Sequence, residues 1–197
     1  MILYHYTSPQ NRLLISWTGL KPGTLDEDHR DDHMTLGKPV VWLTRQNPAA
    51  LTQADVDFFG ARPELAKAFS DCGAECKLGS PFWPDRTEQI EIEIARHDKR
   101  LISYPDFLRK FGGREMVRFY GANLSPSAFA NWWVYRGTIP PHKLPPITVA
   151  QARAGLQIQI DITKAKGEPP VHQDLLDAMR DADPDRLVDW HLDEVAA

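Results

Sequence analysis

The stretch QIEIEIA at residues 89–95 constrains the fold more than any other. In it Ile90, Ile92 and Ile94 alternate strictly with Glu91 and Glu93. Only an extended backbone, with its side-chain period of two, places three isoleucines on one side and both carboxylates on the other. The chain therefore contains a sheet with one face in a core and one in water. At 197 residues, 42% hydrophobic and 10% aromatic, it can close one sizeable core without disulfide staples.

The remaining elements are read around that strand. ILYHY, bounded by TSPQN, predicts a first strand, and NRLLISWTGLKPG a short helix stopped by Gly19 and the Lys21-Pro22-Gly23 turn. Residues 24–38 are acidic and poor in large apolar side chains, which predicts an exposed loop. PVVWLTR reads as a buried strand. Residues 46–84 read as irregular, with one helix over residues 63–69. SYPDFLRKFGG has the helical spacing of Phe107, Leu108 and Phe111. REMVRFYGANLSPSAFAN is mixed, and WWVYRGTIPP predicts a strand leaving through Pro140-Pro141, followed by a short extended piece after Pro145-Pro146. LQIQIDIT alternates again and predicts an edge strand. The last residues are acidic with helical spacing, which gives a division into residues 1–164 and a helical appendage over residues 165–197. The fold class expected is α+β.

A net charge of -4 supplies no global basic field for a polyphosphate backbone, so a tightly held nucleic acid is not favoured. Two cysteines, Cys72 and Cys76, lack a second ligand pair and are expected to be free thiols. The chain shows neither a leader pattern nor a bilayer-length apolar run, and a cytoplasmic protein is expected. HRDDH holds His29 and His33 four residues apart with Asp32 between them, a spacing that can share a metal. Its acidic, loop-like setting favours a lid over a cleft, and no metal is expected. No G-x-S-x-G, P-loop or G-x-G-x-x-G occurs, so a dinucleotide, if bound, is not held in the Rossmann manner.

Three segments in order, YHYTS with its helix and GLKPG exit, then VVWLT, then WWVYRGTIPPHKL, resemble the ADP-ribosyltransferase superfamily over about residues 3–149. The resemblance extends to DNA-targeting ADP-ribosyltransferase toxins, to RNA 2'-phosphotransferases, and to small phage and bacterial proteins that begin YHYTS and carry VVWLT. It implies an ADP-ribosyltransferase-like split β-sheet that grips NAD as substrate. It also implies transfer of ADP-ribose to a macromolecular acceptor, protein or nucleic acid, as in a toxin or host-interaction protein.

Carried over by position, His5 matches the family histidine that bonds the adenosine-side ribose, with Tyr6 and Thr7 beside it. Trp42 matches an aromatic next to the nicotinamide, where an indole can stack on a partly cationic ring. Thr44 and Arg45 follow at the strand end, Arg45 suited to a pyrophosphate. In the late strand Trp133 offers a stacking face and Arg136 a cation. A sheet that points His5 and Trp42 to different sides would be evidence against this reading. The family glutamate that steadies the cationic ribose is absent from ANWWVYRGTIPP, so Glu91 or Glu93 on the isoleucine strand is the expected substitute. The alternatives are an inactive binding or inhibitory protein acting through its acidic tail, an RNA 2'-phosphotransferase-like site using Arg136 and His5, and a metal-dependent hydrolase using His29 and His33.

Overall fold

A computed structural model describes residues 1–23, 36, 38–71, 73–84 and 86–166. The fold is α+β. Among these residues an open five-stranded antiparallel sheet is accompanied by seven α-helices. The strands are β1 (Ile2–Thr7), β2 (Val41–Thr44), β3 (Glu88–Glu93), β4 (Leu101–Ser103) and β5 (Trp132–Tyr135), in the spatial order β3-β1-β2-β5-β4.

Alternation assigns each side chain to a face. Leu3, Ile90 and Ile92 share one face with Val41, Leu43, Leu101 and Tyr135, and pack there against Leu20, Ile139 and Leu144. Burying Ile90 and Ile92 stabilises this face by roughly 3–6 kcal/mol. On the other face Trp42, Val134, Ile102 and Trp132 meet Tyr104, Phe107 and Leu108 of helix α4 (Tyr104–Phe111) and Tyr120 of α5 (Gly113–Asn123). That second cover stops at β2. Beyond it Ile2, Glu91 and Glu93 lie exposed, as the isoleucine alternation predicts.

The first helix, α1 (Pro9–Thr18), begins where the Ser8 hydroxyl accepts from the Asn11 N–H at 3.3 Å. It ends at Gly19, whose φ of +77° suits glycine; a Cβ there would stand 2.5 Å from the Ile139 carbonyl oxygen. The close approach permits the pair of bonds between Leu20 and Ile139, at 2.9 and 3.0 Å.

Three expectations are corrected. Residues 46–84 hold the expected helix, α3 (Pro63–Asp71), but also a second, α2 (Gln53–Gly60), in a stretch expected to be irregular. Thr52 and Asp55 form a capping box at the start of α2, and the wholly buried Asp55 also accepts from the Ser127 N–H at 3.0 Å and from the Ser127 hydroxyl. Burial opposes ionisation of Asp55, but these hydrogen bonds outweigh it and keep its pKa below the usual value. The mixed segment is likewise helical, as α5 and α6 (Pro126–Asn131).

LQIQIDIT is not an edge strand but the later part of helix α7 (Val149–Lys166). Thr148 and Gln151 cap it reciprocally, at 3.1 and 3.2 Å, and Ala152 and Leu156 bury against Leu13 of α1. Gly155 lets the helices meet, since a Cβ there would lie 2.8 Å from the Pro9 carbonyl oxygen. A strong start signal and a tertiary contact decide the helix, and the period-two run is carried along. The boundary read at residue 164 falls in the last turn of α7. The acidic appendage beyond residue 166, His29, His33 and Cys72 lie outside the described residues; Cys76 is a free thiol.

Candidate functional site

β1 pairs with β3 along six positions but with β2 at one only, Tyr4 opposite Thr44. Past that pair the ladder stops. The His5 ring takes its place, with Nδ1 2.9 Å from the Trp42 carbonyl oxygen. A carbonyl only accepts, so Nδ1 carries the hydrogen and Nε2 is the ring's acceptor in the neutral form. Burial lowers the His5 pKa from its usual 6.5; the bond to Trp42 opposes this and the charge of Arg86 adds to it. The imidazole is therefore neutral at pH 7.

At this opening lies a cleft of about 280 Å³, bounded by the end of β1, α1, residues 19–23 and the start of β2. His5, Thr7, Asn11, Gly19 and Lys21 contribute to its lining. Lys21 is the charged side chain among the described lining residues. The site thus offers an uncharged acceptor at His5, an amide at Asn11 and a cation at the exposed rim.

The other residues expected at the site are dispersed. Trp42 also lines the cleft, where its carbonyl oxygen meets His5, but its indole belongs to the opposite face: the single register pair fixes the alternation, and the indole packs edge-on against Tyr104 and Trp132 at 5.0 and 5.4 Å. A nicotinamide stack on the Trp42 indole beside His5 is therefore corrected, and the opposite orientation of the two side chains counts against the resemblance. Tyr6 also faces away; its hydroxyl donates to the Gln46 carbonyl at 3.1 Å and accepts from the Ala49 N–H at 3.0 Å, pinning the segment after β2. Thr44 is buried and caps the Gln46 N–H at 3.1 Å.

Arg45 lies at the wrong end of the sheet. Its guanidinium is 4.6 Å from the Trp133 ring centroid and approaches the Met1 sulfur at 3.7 Å, where β1 starts, whereas the cleft opens where β1 ends. Six residues of strand put these ends about 20 Å apart. Trp133 is occupied by that contact and packs against the first core. Arg136 sits 5.3 Å from the centroid of Phe111, on the α4 side. Both faces of β5 pack against other elements, and neither tryptophan lines the His5 cleft.

Glu91 and Glu93 pair with Tyr4 and Ile2 and share their face, opposite to His5. They do not reach the cleft. Glu88 stands opposite Thr7, diagonal to His5 and on its side of the sheet. Its carboxylate accepts from Gln151 Nε2 at 2.6 Å and attracts the buried Arg12 guanidinium. Counting back two from Ile90 assigns Glu88 to the inner face, so the alternation itself carried the signal. Lys21 was equally legible in GLKPG.

No family model matches this chain, and no curated protein matches it. Among the described residues no cluster of three or more metal-ligating side chains occurs, and no helix is long and apolar enough to cross a membrane.

Proposed function

We propose that this chain is an ADP-ribosyltransferase-like protein that binds NAD at the sheet opening beside His5. The observation that carries this reading is the opening itself: the β1–β2 ladder stops at one pair, and a neutral, backbone-anchored imidazole fills the gap at the floor of a cleft. Nε2 of His5 accepts from a ribose hydroxyl, and Lys21 pairs with the pyrophosphate in the place first given to Arg45. The cleft encloses part of a dinucleotide and leaves the rest along the rim.

In the reaction the bond between ribose C1' and the nicotinamide nitrogen breaks, and nicotinamide departs with the electron pair. A nucleophile of the macromolecular acceptor then bonds to C1' and gives up its proton. Glu88 is the carboxylate on the correct face to steady the cationic ribose, in place of Glu91 and Glu93. A second reading, a binding protein of the same fold without catalysis, is favoured by one fact: no carboxylate stands among the described lining residues of the cleft.

Nicotinamide release from NAD tests both readings. A transferase releases it, and Glu88→Gln slows release by about a hundredfold or more, as loss of a transition-state electrostatic partner does. Saturable NAD binding without release supports the second reading. Absence of NAD binding overturns both.

A further inference from the structure

On the α4 side of the sheet, three cations from separate segments converge on one ring. The Lys38 ammonium, on the approach to β2, lies 5.1 Å from the Phe111 centroid. The Lys110 ammonium, in the last turn of α4, lies 5.5 Å from it, and the Arg136 guanidinium, just past β5, 5.3 Å. Any two of the three are therefore within about 11 Å of each other, near the screening length of roughly 8–10 Å at moderate ionic strength, and they repel. Val41 pairs with Tyr135, so the cluster stands at the edge of the sheet where the His5 cleft opens, but none of its residues lines that cleft.

Ordinary packing accounts for part of this arrangement. The electron-rich faces of a ring attract cations, and the C-terminus of α4 favours Lys110. A ring has only two faces, however, and Phe107 already packs against Phe111 at 5.0 Å. The third cation exceeds what the ring can hold. Carboxylates do not account for it either: among the described residues Asp106 pairs with Arg109 at 2.7 Å and Asp98 with Arg100 at 2.8 Å, and none pairs with Lys38, Lys110 or Arg136. All three side chains are exposed, around a half-buried Phe111. The described residues carry twenty Lys and Arg against twelve Asp and Glu, an excess of eight positive charges in a chain that is at -4 as a whole. They form a basic body, and the cluster concentrates its charge at one place.

We propose that the cluster around Phe111 is a binding site for a compact polyphosphate, free or carried by a nucleoside. Convergent cations match several negative charges held close together. Arg136 offers a fork of donors to phosphoryl oxygens, and the two lysines pair with them as point charges. The short span between the cations selects a compact anion over an extended strand.

Calorimetric titration of the full chain at low salt with inorganic tripolyphosphate, ATP, orthophosphate and a single-stranded oligothymidylate tests this. Tripolyphosphate binds saturably with a Kd of about 1–100 µM, and orthophosphate at least about tenfold more weakly. Arg136→Gln and Lys110→Gln each weaken tripolyphosphate by about fivefold or more. Lys67→Gln removes an equal charge from an exposed pair on α3 and changes the affinity by less than about twofold. ATP bound as tightly as tripolyphosphate, or more tightly, assigns a nucleotide; weaker ATP assigns the free chain. No saturable binding of tripolyphosphate or ATP overturns the proposal. So do equal losses in Arg136→Gln and Lys67→Gln, which reduce the effect to net charge. Oligothymidylate bound more tightly than both polyphosphates also overturns it, because the patch is then a track for an extended strand.

Discussion

β1 and β3 present alternating residues, with Leu3, Ile90 and Ile92 inside and Ile2, Glu91 and Glu93 in water. β2 and β5, one strand further across the same sheet, are apolar on both faces, because α4 and α5 cover the side that β1 and β3 leave open. A sheet covered on one side specifies its register by alternation, and one covered on both sides needs continuous apolar runs such as VVWLT and WWVY. The two halves meet at the single Tyr4–Thr44 pair, and the cleft lies at that junction. The difference teaches that the site arises where the two packing regimes meet rather than within either.

Substitutions can break or sharpen this contrast. The largest effect is expected on the doubly covered side: Trp42→Ala removes an indole packed against Tyr104 and Trp132 and lowers unfolding free energy by about 3–5 kcal/mol in denaturant titrations. At the junction the effect depends on pH. Because the folded-state pKa of His5 is depressed below 6.5, the unfolded chain binds more protons in the window between them. Stability is thus full above pH 6.5 and falls as pH drops towards the folded value, with a slope of at most about 1.4 kcal/mol per pH unit. Thermal melts of His5→Gln should lack that slope.

Smaller effects belong to the singly covered half. Ile92→Val, on the inner face of β3, costs about 0.5–1.5 kcal/mol by the same titration. Glu91→Gln, on the outer face, changes stability by no more than about 0.5 kcal/mol and leaves NAD affinity unaltered. A Glu91→Gln chain that lost NAD binding would return the acid to the outer face and undo the assignment of Glu88.

Legibility in the sequence follows the same division. QIEIEIA, VVWLT and WWVY announce their strands because pattern and burial agree. LQIQIDIT misleads, since its alternation is overridden by the Thr148–Gln151 cap and by the contact of Ala152 and Leu156 with Leu13, both of which lie largely upstream. Helix α2 was written in Thr52-x-x-Asp55, a capping signal obscured by surrounding glycine and proline. For the site, residues on one strand sort themselves by parity, which places His5 with Thr7 and Glu88. Residues on different strands do not: whether Trp42 joins His5 depends on the register of two distant segments, and Arg45 on which end of the sheet opens. Neither is encoded locally.

The central claim is that the His5 face of the junction holds the dinucleotide and that Trp42 is a core residue. Isothermal titration with NAD of the wild-type chain, His5→Ala and Trp42→Phe, the last keeping an aromatic ring in the core, tests it directly. The account predicts micromolar binding to the wild type, loss of about tenfold or more in affinity for His5→Ala, and wild-type affinity for Trp42→Phe. No heat with the wild type, or equal losses in the two variants, would contradict it.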